Sequence, residues 1–581
     1  MSERPFEPTQ EQVTVIEHAG SAIIVACPGA GKTRVMVERA RYILRLPSNG
    51  RGIAFLSFTR AAVSELEYRL RRAVQLNSPV FPHFIGTFDG FIWHFLVAPF
   101  GIPGTEAAPR LIPDKASRIV QPFEKAHPLP LSCFDRATGK IDAATALRCG
   151  FDVNKKTAAH IRASETAAQK MQARFRERGE LDFDDARDLA VRRLADAECV
   201  VRLSSALAAR FCEVIVDEAH DCNPADLEII KWLRGAAIPT TVICDPHQSI
   251  YEFRGGVTHE LVAFADSFAK TDQLCMRGNF RSSDSICKAI VMLRDIKARN
   301  TIDEPLGEHK NEQAPIYILS YAGRSVPATI GVKFVELLNE LKIAISHAPV
   351  LAATRNSGSN AIGQPAVKAK RDLTFRLAEA ISDFYFAFES GNQKSAIEEV
   401  HKIILELEGR LSGMSYHQYV VAHDLKADEW RPQIVCILRA LRYHPEVFVD
   451  ADAWHSWAKQ LLAPHLPADG PSISQKLKRN KDISGVLAVA PATYPPAKTI
   501  HSVKGMEFPA VCVVTVPQTL KGVLDYLETG DPTDEAETAR ELYVAASRAQ
   551  RLLVIAVPKS QTQRFAEHIG KAGAQVAVVS I

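Results

Sequence analysis

A phosphate-binding pattern, SAIIVACPGAGKTRVMV at residues 21–37, carries the clearest chemistry in this 581-residue sequence. The apolar run Ala22–Ala26 predicts a buried strand, and a glycine-rich turn then leads into a segment with helical spacing. Backbone N–H groups of such a turn can surround a phosphate, and the start of a helix favours the same anion. Lys32 can reach the β- and γ-phosphates, and the Thr33 hydroxyl can bind Mg²⁺. The loop residues predicted to hold a nucleotide are Pro28, Gly29, Ala30, Gly31, Lys32 and Thr33.

An ordinary glycine turn before a helix is the alternative interpretation of this stretch. Ala26 also stands where the phosphate-binding pattern usually begins with Gly. The strand, loop and helix that the motif requires do follow one another here, so phosphate binding is the favoured interpretation.

Two adjacent carboxylates follow a later run, Glu213–Val216, which is predicted to be a strand. The end of this strand is a second place where residues could take part in catalysis. Nucleotide hydrolysis needs a carboxylate for Mg²⁺, a group that orients water, and cations that face the γ-phosphate. Asp217 suits the Mg²⁺ role, and Glu218 can polarise the attacking water. Adjacent acids after a strand are common, so the pair gains its meaning from the upstream phosphate loop.

Apolar runs alternate with helical segments along much of the chain, which predicts a parallel, doubly wound sheet that binds ligands at the carboxyl ends of its strands. Two α/β halves, each interrupted by a mainly helical insertion, are the simplest organisation. The runs interpreted as strands lie at 22–26, 53–59, 84–89, 213–216 and 240–244, and then at 316–319, 350–353, 485–489, 511–516 and 552–557.

Composition limits the partners and the compartment. The formal net charge is only +3, so a nucleic-acid surface would have to be a local groove. The eleven Cys show no zinc or iron–sulfur spacing, as expected for a reducing compartment. No apolar segment reaches the length of about 18 residues needed to cross a membrane. We therefore expect a cytoplasmic protein without a membrane partner.

Several further motifs, in order along the chain, resemble superfamily 1 helicases of the UvrD/Rep/PcrA type. The DEAH string at 217–220 alone would suggest a different, RNA-directed helicase group, but the neighbouring motifs favour this family. The resemblance is weak at 91–180 and 357–485. The matching strings are LSFTRAAVSELEYRL at 56–70, GTF at 86–88, LDFDD at 181–185, DPHQSIYEFRGG at 245–256, NFRS at 279–282, TIHSVKGMEF at 499–508 and YVAASRA at 543–549.

The resemblance implies an α/β fold with two RecA-like, doubly wound parallel-sheet domains, each carrying an inserted helical subdomain. The first RecA-like domain is predicted at 1–92 and 204–274, with its insertion at 93–203. The second is predicted at 275–356 and 485–581, with its insertion at 357–484.

For ATP, the resemblance implies roles for residues in both halves. Gln12 would read the adenine edge, Arg34 and Phe280 would stack on the base, and Glu507 would lie near the ribose. Phe280 stands where the family usually has Tyr, which leaves stacking possible. The residues implied to act in hydrolysis are Lys32, Asp217, Glu218, the γ-phosphate contact Gln248, and two arginine fingers from the second half, Arg281 and Arg548. Thr33 and Asp217 would hold Mg²⁺.

For DNA, the resemblance implies base stacking on aromatic rings and contacts to the phosphate backbone. Phe253 replaces the usual Trp, and Asp89 stands where the family often has His, which removes one favourable phosphate partner. The implied stacking residues are Phe58, Tyr251 and Phe253, and the implied backbone contacts are Thr59, Thr87, Arg254, Arg355, Thr499 and His501.

The function implied is an ATP-dependent helicase or translocase that moves 3′ to 5′ on single-stranded or tailed DNA, in repair or anti-phage defence. An alternative is a nucleotide-gated DNA-binding subunit that regulates a partner nuclease with little unwinding. The chain is compatible with the helicase subunit of a Gabija-like anti-phage system, which would pair it with a separately encoded nuclease. A third and more distant option is an RNA helicase.

Overall fold

A computed structural model describes most of the chain and carries full side chains. The residues it describes are 6–46, 50–74, 80–250, 258–300, 302–364, 372–386, 393–411, 414–444, 446–487, 495–531 and 534–581.

The chain divides into two compact units. The first consists of Met1–Ile85, Ala208–Ile404 and Gln433–Ile581, and the second of Gly86–Leu207 and Leu405–Pro432. The strands of the second large sheet, and nearly all of the first, belong to the first unit. The four predicted domains and their boundaries stay a prediction.

The first large sheet has six strands, and its neighbouring strands pair in parallel wherever the register is defined. Sequential strands are not neighbours at several positions, so helices must cross over between them, as in a doubly wound sheet. The edge strand Gln273–Met276 extends this sheet two residues past the predicted boundary at 274. The strands in spatial order are Gln273–Met276, Ala22–Ala26, Thr240–Cys244, Phe211–Val216, Gly52–Ser57 and Phe84–Thr87.

The second large sheet also has six strands, and its pairs are parallel. Its central strand Phe508–Val514 sends alternate side chains to opposite faces: Val511 and Val513 pack in one core, while Cys512 and Val514 pack in the other. Burial on both faces explains why such strands are almost continuously apolar. In spatial order the strands are Ala497–Thr499, Val350–Ala352, Phe508–Val514, Ala549–Pro558, Ile316–Tyr321 and Val576–Ser580.

One predicted strand is wrong. The stretch predicted as a strand at 485–489 lies partly in a helix, Ile483–Leu487, and its last two residues lie outside the described residues. Ile483 and Leu487 are both buried and four residues apart, so they lie on one face of that helix. A short apolar run fits a buried strand and a buried helix equally well, which explains the error.

Helices surround both sheets and form most of the insertions, and their ends follow ordinary capping chemistry. Thr9 caps the first helix through a capping box with Gln12, and Asp182 caps another through Asp185. The helices are Gln10–Glu17, Lys32–Arg45, Arg60–Val74, Phe88–Phe91, Ala143–Arg148, Ala158–Glu177, Phe183–Leu194, Ala197–Arg210, Pro224–Gly235, Thr258–Asp266, Asp284–Met292, Thr329–Glu340, Arg355–Ala361, Leu373–Phe386, Lys394–Leu407, Tyr416–Ala422, Ala427–Ala440, Ala451–Leu462, Ile473–Lys476, Ile483–Leu487, Pro517–Thr529, Ala536–Ala546 and Thr562–Gly570.

The second unit has a small core of its own. Two short strand pairs, Arg110–Leu111 with Glu180–Leu181 and Ile119–Val120 with Leu129–Pro130, accompany its helices. Its buried apolar residues include Val120, Leu129, Phe134, Phe151, Ala168 and Phe175. None of the helices in the described part of the chain combines the length and the apolarity that crossing a bilayer requires.

Candidate functional site

A cleft of about 2160 Å³ in the first unit contains most of the residues that the sequence predicted to bind a nucleotide. It is lined from the first sheet by the phosphate loop and the strand-end acids, and from the second half of the chain by two arginines. Among its lining residues are Pro28, Gly29, Ala30, Gly31, Lys32, Thr33, Arg34, Asp217, Glu218, Gln248, Phe280, Arg281, Glu507 and Arg548. The structure therefore brings together every residue predicted for the ATP site except Gln12, which lies directly behind the loop.

The phosphate loop depends on two left-handed glycines. Gly29 has φ 72°, and Gly31 has φ 75° at the N-cap of the helix Lys32–Arg45. A methyl group on Gly29 would lie 2.6 Å from both Arg281 Cβ and Asn279 Oδ1, so a side chain does not fit. The Phe280 N–H also donates to the Gly29 carbonyl at 2.9 Å. The loop is thus in direct contact with the segment that carries the predicted arginine finger.

Gln12 is buried and fixes the loop from behind. Its side-chain oxygen accepts from the Thr9 N–H at 3.0 Å, and its amide nitrogen donates to the Ala30 carbonyl at 3.0 Å. The side-chain nitrogen retains a second hydrogen, and the side-chain oxygen retains a second lone pair, for a base. Adenine recognition by Gln12 stays a prediction, but the residue already links the first helix to the phosphate loop.

Lys32 and the two strand-end acids form a buried cluster. Lys32 Nζ lies 3.0 Å from Glu218 Oε1. Burial alone would lower the pKa of Lys32, but the attraction of Glu218, Asp217 and Asp245 outweighs it and raises that pKa above its ordinary value. Burial also acts to raise the pKa of Glu218, yet Lys32 and His220 hold it well below its usual range. Both members of this pair are therefore charged at neutral pH.

Asp217 is a buried carboxylate with one oxygen that makes no hydrogen bond to the described residues, as suits a cation ligand. Burial, together with the neighbouring Glu218, raises the pKa of Asp217 to about 7. Its Oδ1 atom is buried and has no hydrogen-bond partner among the described residues. The Thr33 hydroxyl lies in the first turn of the helix after the loop and lines the same cleft. These oxygen donors suit Mg²⁺, which keeps several waters and binds through one or two protein groups and phosphates. Among the described residues, no group of three or more His, Cys, Asp or Glu is placed to hold a metal ion.

Arg548 reaches across the cleft to Gln248. Its Nη2 donates to Gln248 Oε1 at 2.5 Å, and its Nε donates to the Val544 carbonyl at 3.0 Å. Burial lowers the pKa of Arg548 to about 10, and Arg281 adds to that effect, so the guanidinium stays charged at neutral pH. The Gln248 amide in turn donates to Asp245 Oδ2 at 2.8 Å. Gln248 therefore connects the first sheet to the predicted arginine finger.

Arg281 lies beside Arg548 and has a different set of partners. Its Nε donates to Glu507 Oε2 at 2.7 Å, and its Nη1 donates to the Ser547 carbonyl at 2.9 Å. Glu507 is half exposed on the cleft wall. The carboxylate predicted to lie near the ribose thus orients the neighbouring arginine in this structure.

The two residues predicted to stack on the adenine base, Arg34 and Phe280, both line the cleft. Phe280 is 37% exposed, although it is a large apolar residue. The Arg34 guanidinium lies 5.0 Å from the centre of the Phe6 ring, an arrangement typical of a cation–π contact. Sequence reasoning missed Phe6, whose position before the first helix gave no signal of contact with Arg34.

Sequence reasoning also missed residues that join the two halves. Lys504 Nζ donates to Asp221 Oδ1 at 2.5 Å and to the Gln248 carbonyl at 3.3 Å. The Tyr543 hydroxyl donates to Asp245 Oδ2 at 3.1 Å. All of these residues except Asp221 stand inside motif strings, but only the folded chain shows that they contact each other.

The contacts of the residues predicted to bind DNA do not distinguish a DNA-binding role from a structural one. Thr59 lines the cleft and accepts from the Ala62 N–H at 3.2 Å. Thr87 caps a short helix by accepting from the Gly90 N–H at 3.0 Å, and Thr499 ends a strand. Phe58 is half-buried. Such threonine and aromatic positions also have ordinary structural roles, so their DNA contacts stay predictions.

The charged residues in this group already have protein partners. Arg355 forms an ion pair with Glu379, and His501 Nε2 lies 3.2 Å from the Ile250 carbonyl. Asp89 pairs with Arg187 at 2.6 Å. Tyr251, Phe253 and Arg254 lie outside the described residues.

Comparison with known families gives two matches in chain order. Residues 7–269 match the UvrD/REP helicase N-terminal domain, and residues 496–560 match the UvrD-like helicase C-terminal domain. The first match contains the phosphate loop and the strand-end acids, and the second contains Arg548. The first match thus contains one wall of the cleft, and the second contains part of the other, since Arg281 lies between the two matched regions.

Individual relatives agree with these matches. The chain is 27% identical over 305 residues to the ATP-dependent DNA helicase UvrD1 of Mycobacterium tuberculosis (strain ATCC 25618 / H37Rv), which covers 49% of this chain and 38% of that protein. It is 20% identical over 627 residues to the ATP-dependent DNA helicase PcrA of Staphylococcus aureus (strain NCTC 8325 / PS 47), which covers 94% of this chain and 82% of that protein. The match thus spans well under half of the mycobacterial relative and most of the staphylococcal one. With both domains matched in order over two parallel sheets, the chain belongs to the UvrD/Rep/PcrA-type helicase family.

Proposed function

We propose that this protein is an ATP-dependent motor that moves 3′ to 5′ along single-stranded DNA and separates tailed duplexes. The observation that carries the proposal is the cleft in which Lys32, Asp217 and Glu218 face Arg281 and Arg548 from the other half of the chain. Such a division of charges makes hydrolysis depend on how the two halves meet, and a motor requires that dependence.

Hydrolysis in this cleft would begin with an exchange of partners by Lys32. Its ammonium now pairs with Glu218 at 3.0 Å, and a triphosphate would draw it toward the β- and γ-oxygens. Lys32 and His220 now hold the pKa of Glu218 well below its usual range, so the departure of Lys32 would make the ionised carboxylate a better acceptor for a proton of the attacking water. Thr33 and Asp217 would hold Mg²⁺, which when bound supplies Lewis-acid stabilisation of the phosphate charge.

The second half would contribute the cations that respond to the γ-phosphate. Arg548 now donates to Gln248 at 2.5 Å, and Arg281 donates to Glu507 at 2.7 Å. Arg548 would exchange a neutral amide acceptor for charged phosphate oxygens, which make stronger, charge-assisted hydrogen bonds. Arg281 would exchange one charged acceptor, the Glu507 carboxylate, for another. Loss of the γ-phosphate would remove those contacts, so hydrolysis would alter how the halves fit together.

DNA as the substrate, and the direction of movement, rest on the family and on the predicted contact residues. Base stacking on aromatic rings contributes roughly 1–3 kcal/mol per base and tolerates any sequence, as a translocating motor requires. The small net charge of +3 agrees with a local groove for the strand. A Gabija-like role and a partner nuclease stay predictions from the sequence.

Phosphate release with and without single-stranded DNA tests the proposal. We expect DNA to stimulate hydrolysis, and we expect a 3′-tailed duplex to be unwound in preference to a 5′-tailed one. A folded sample that hydrolyses ATP equally with and without DNA would contradict the motor. Stimulation by an RNA oligomer of the same sequence, but not by DNA, would instead identify an RNA helicase.

A further inference from the structure

Each carboxylate oxygen of Glu218 lies close to a basic side chain. Oε1 lies 3.0 Å from Lys32 Nζ, and Oε2 lies 3.1 Å from His220 Nε2. The backbone of Glu218 has φ 55°, a left-handed conformation that is uncommon for residues other than glycine. A residue held in such a conformation at a reactive site depends on its surroundings to keep its side chain in place.

Only one of these two contacts can persist during the proposed reaction. A triphosphate would draw Lys32 away from Oε1, since the phosphate oxygens are competing anions. His220 has no comparable reason to move, because its side chain is buried beneath the cleft floor and does not belong to the cleft lining. His220 would then be the remaining side chain that orients Glu218.

The ring of His220 is itself fixed in one orientation. The Asp245 N–H donates to its Nδ1 at 3.2 Å. A ring nitrogen that accepts a hydrogen bond carries no proton, so the neutral imidazole has its proton on Nε2, toward Glu218. Asp245 also accepts from the Gln248 amide at 2.8 Å. A chain of contacts thus runs from Glu218 through His220 and Asp245 to Gln248, which accepts a hydrogen bond from Arg548.

The other acid near His220 is already engaged. Asp221 Oδ1 lies 3.8 Å from His220 Nε2, but the same oxygen accepts from Lys504 Nζ at 2.5 Å. Glu218 Oε2, at 3.1 Å, is therefore the carboxylate oxygen nearer to Nε2.

We infer that His220 is a positioning residue that holds the Glu218 carboxylate toward the attacking water once Lys32 has turned to the phosphates. This inference rests on the proposed ATP hydrolysis and assigns His220 no contact with the substrate. Its effect should therefore appear in kcat, while the KM for ATP stays nearly unchanged.

Two amide substitutions, each of which reproduces one ring nitrogen, separate the two contacts of the ring. In His220→Gln the amide nitrogen can take the place of Nε2 and still donate to Glu218. In His220→Asn the shorter amide can take the place of Nδ1 and still accept from Asp245, but it cannot reach Glu218. We expect His220→Asn to lower DNA-stimulated kcat on the order of 10²-fold, within the usual range for general-base catalysis. His220→Gln should keep most of the wild-type rate.

The inference is overturned if His220→Asn turns over as fast as wild type, or if His220→Gln is slowed as much as His220→Asn. A double-variant cycle adds a readout that a merely structural role would not produce. Because His220 acts through the carboxylate, adding His220→Asn to Glu218→Gln should cause little further loss of rate, and a further large loss would contradict the inference. Thermal melting of each variant with a nonhydrolysable ATP analogue checks folding and binding.

Failure of this inference differs from failure of the proposed function. Wild-type protein that shows no ATP hydrolysis with DNA would remove both. Wild-type protein that hydrolyses ATP, alongside an equally active His220→Asn variant, would remove only the role of His220.

Discussion

The two walls of the nucleotide cleft hold their charges in different ways. On the first-sheet wall, Lys32 and Glu218 neutralise each other at 3.0 Å, and Asp217 has a pKa near 7. On the second-sheet wall, Arg548 is held mainly by neutral acceptors, the Val544 carbonyl and Gln248 Oε1. The first wall is balanced before a ligand arrives, whereas the second keeps a positive charge available for one.

This difference suggests a division of labour between the walls. The first wall should govern whether the triphosphate binds in a reactive form at all. The second should govern how fast it is hydrolysed, because its charge becomes most useful as negative charge develops on the phosphates. Substitutions on each wall can test this division.

Lys32→Ala should have the largest effect. The backbone cradle would remain, but the cation that faces the γ-phosphate would be lost, so we expect DNA-stimulated phosphate release to fall to background. ATP binding should weaken as well, as measured by equilibrium titration with a fluorescent ATP analogue. Turnover near the wild-type rate would mean that another residue supplies the cation facing the γ-phosphate, and it would contradict the role given to the first wall.

Arg548→Ala should leave ATP binding largely intact and slow hydrolysis strongly. Arginine fingers in related phosphoryl transfer contribute about 10³–10⁵ in rate, and Arg548 contacts the predicted γ-phosphate sensor Gln248. Single-turnover hydrolysis separates this effect from binding. Arg548→Lys is the matched control and should recover only part of the rate, because an ammonium cannot reproduce the planar fork. Hydrolysis at the wild-type rate in Arg548→Ala would remove this residue from the site.

Glu507→Gln should have a small effect. Glu507 orients Arg281 through one hydrogen bond of 2.7 Å, but its side chain is half exposed. Exposed ion pairs contribute about 0–1 kcal/mol, so we expect kcat to fall by no more than about fivefold. A loss as large as that of Arg548→Ala would mean that Glu507 acts on the substrate directly.

His247→Phe should change stability more than turnover. Burial lowers the pKa of His247 from 6.5 to about 4, and its ring packs edge-on against Tyr543 between the two walls. As pH falls, the imidazole of His247 binds a proton in the unfolded chain near pH 6.5 but in the folded chain only near pH 4. The folded state therefore loses stability between these pH values, by about 2 kcal/mol at pH 5. Phenylalanine preserves the ring contact without that proton. The melting temperature of the variant should therefore rise relative to wild type between pH 7 and pH 5, and an unchanged difference would contradict this.

The sequence was most informative where function depends on neighbours along the chain. Lys32 follows its loop glycines directly, and Asp217 follows its strand, so local pattern was enough to predict both. The fold class followed from the alternation of strands and helices. The helix Ile483–Leu487 was missed because a short apolar run does not reveal its period.

Contacts between distant residues could not be predicted in the same way. Tyr543 and Asp245 are separated by almost 300 residues, yet their side chains meet at 3.1 Å. His220 looked like part of a motif string, and its bond to the Asp245 N–H depends on how two neighbouring strands end. Such pairings are set by tertiary packing, which a single sequence does not display.

The bare backbone at Gly29 has one more consequence. Because Arg281 Cβ and Asn279 Oδ1 occupy the space that a side chain at Gly29 would need, the phosphate loop and the arginine segment are nested surfaces. The loop cannot swell or shift toward that segment without displacing it. A shift of the phosphate loop on binding a ligand would therefore be transmitted directly to the opposite wall, because the two segments are in contact.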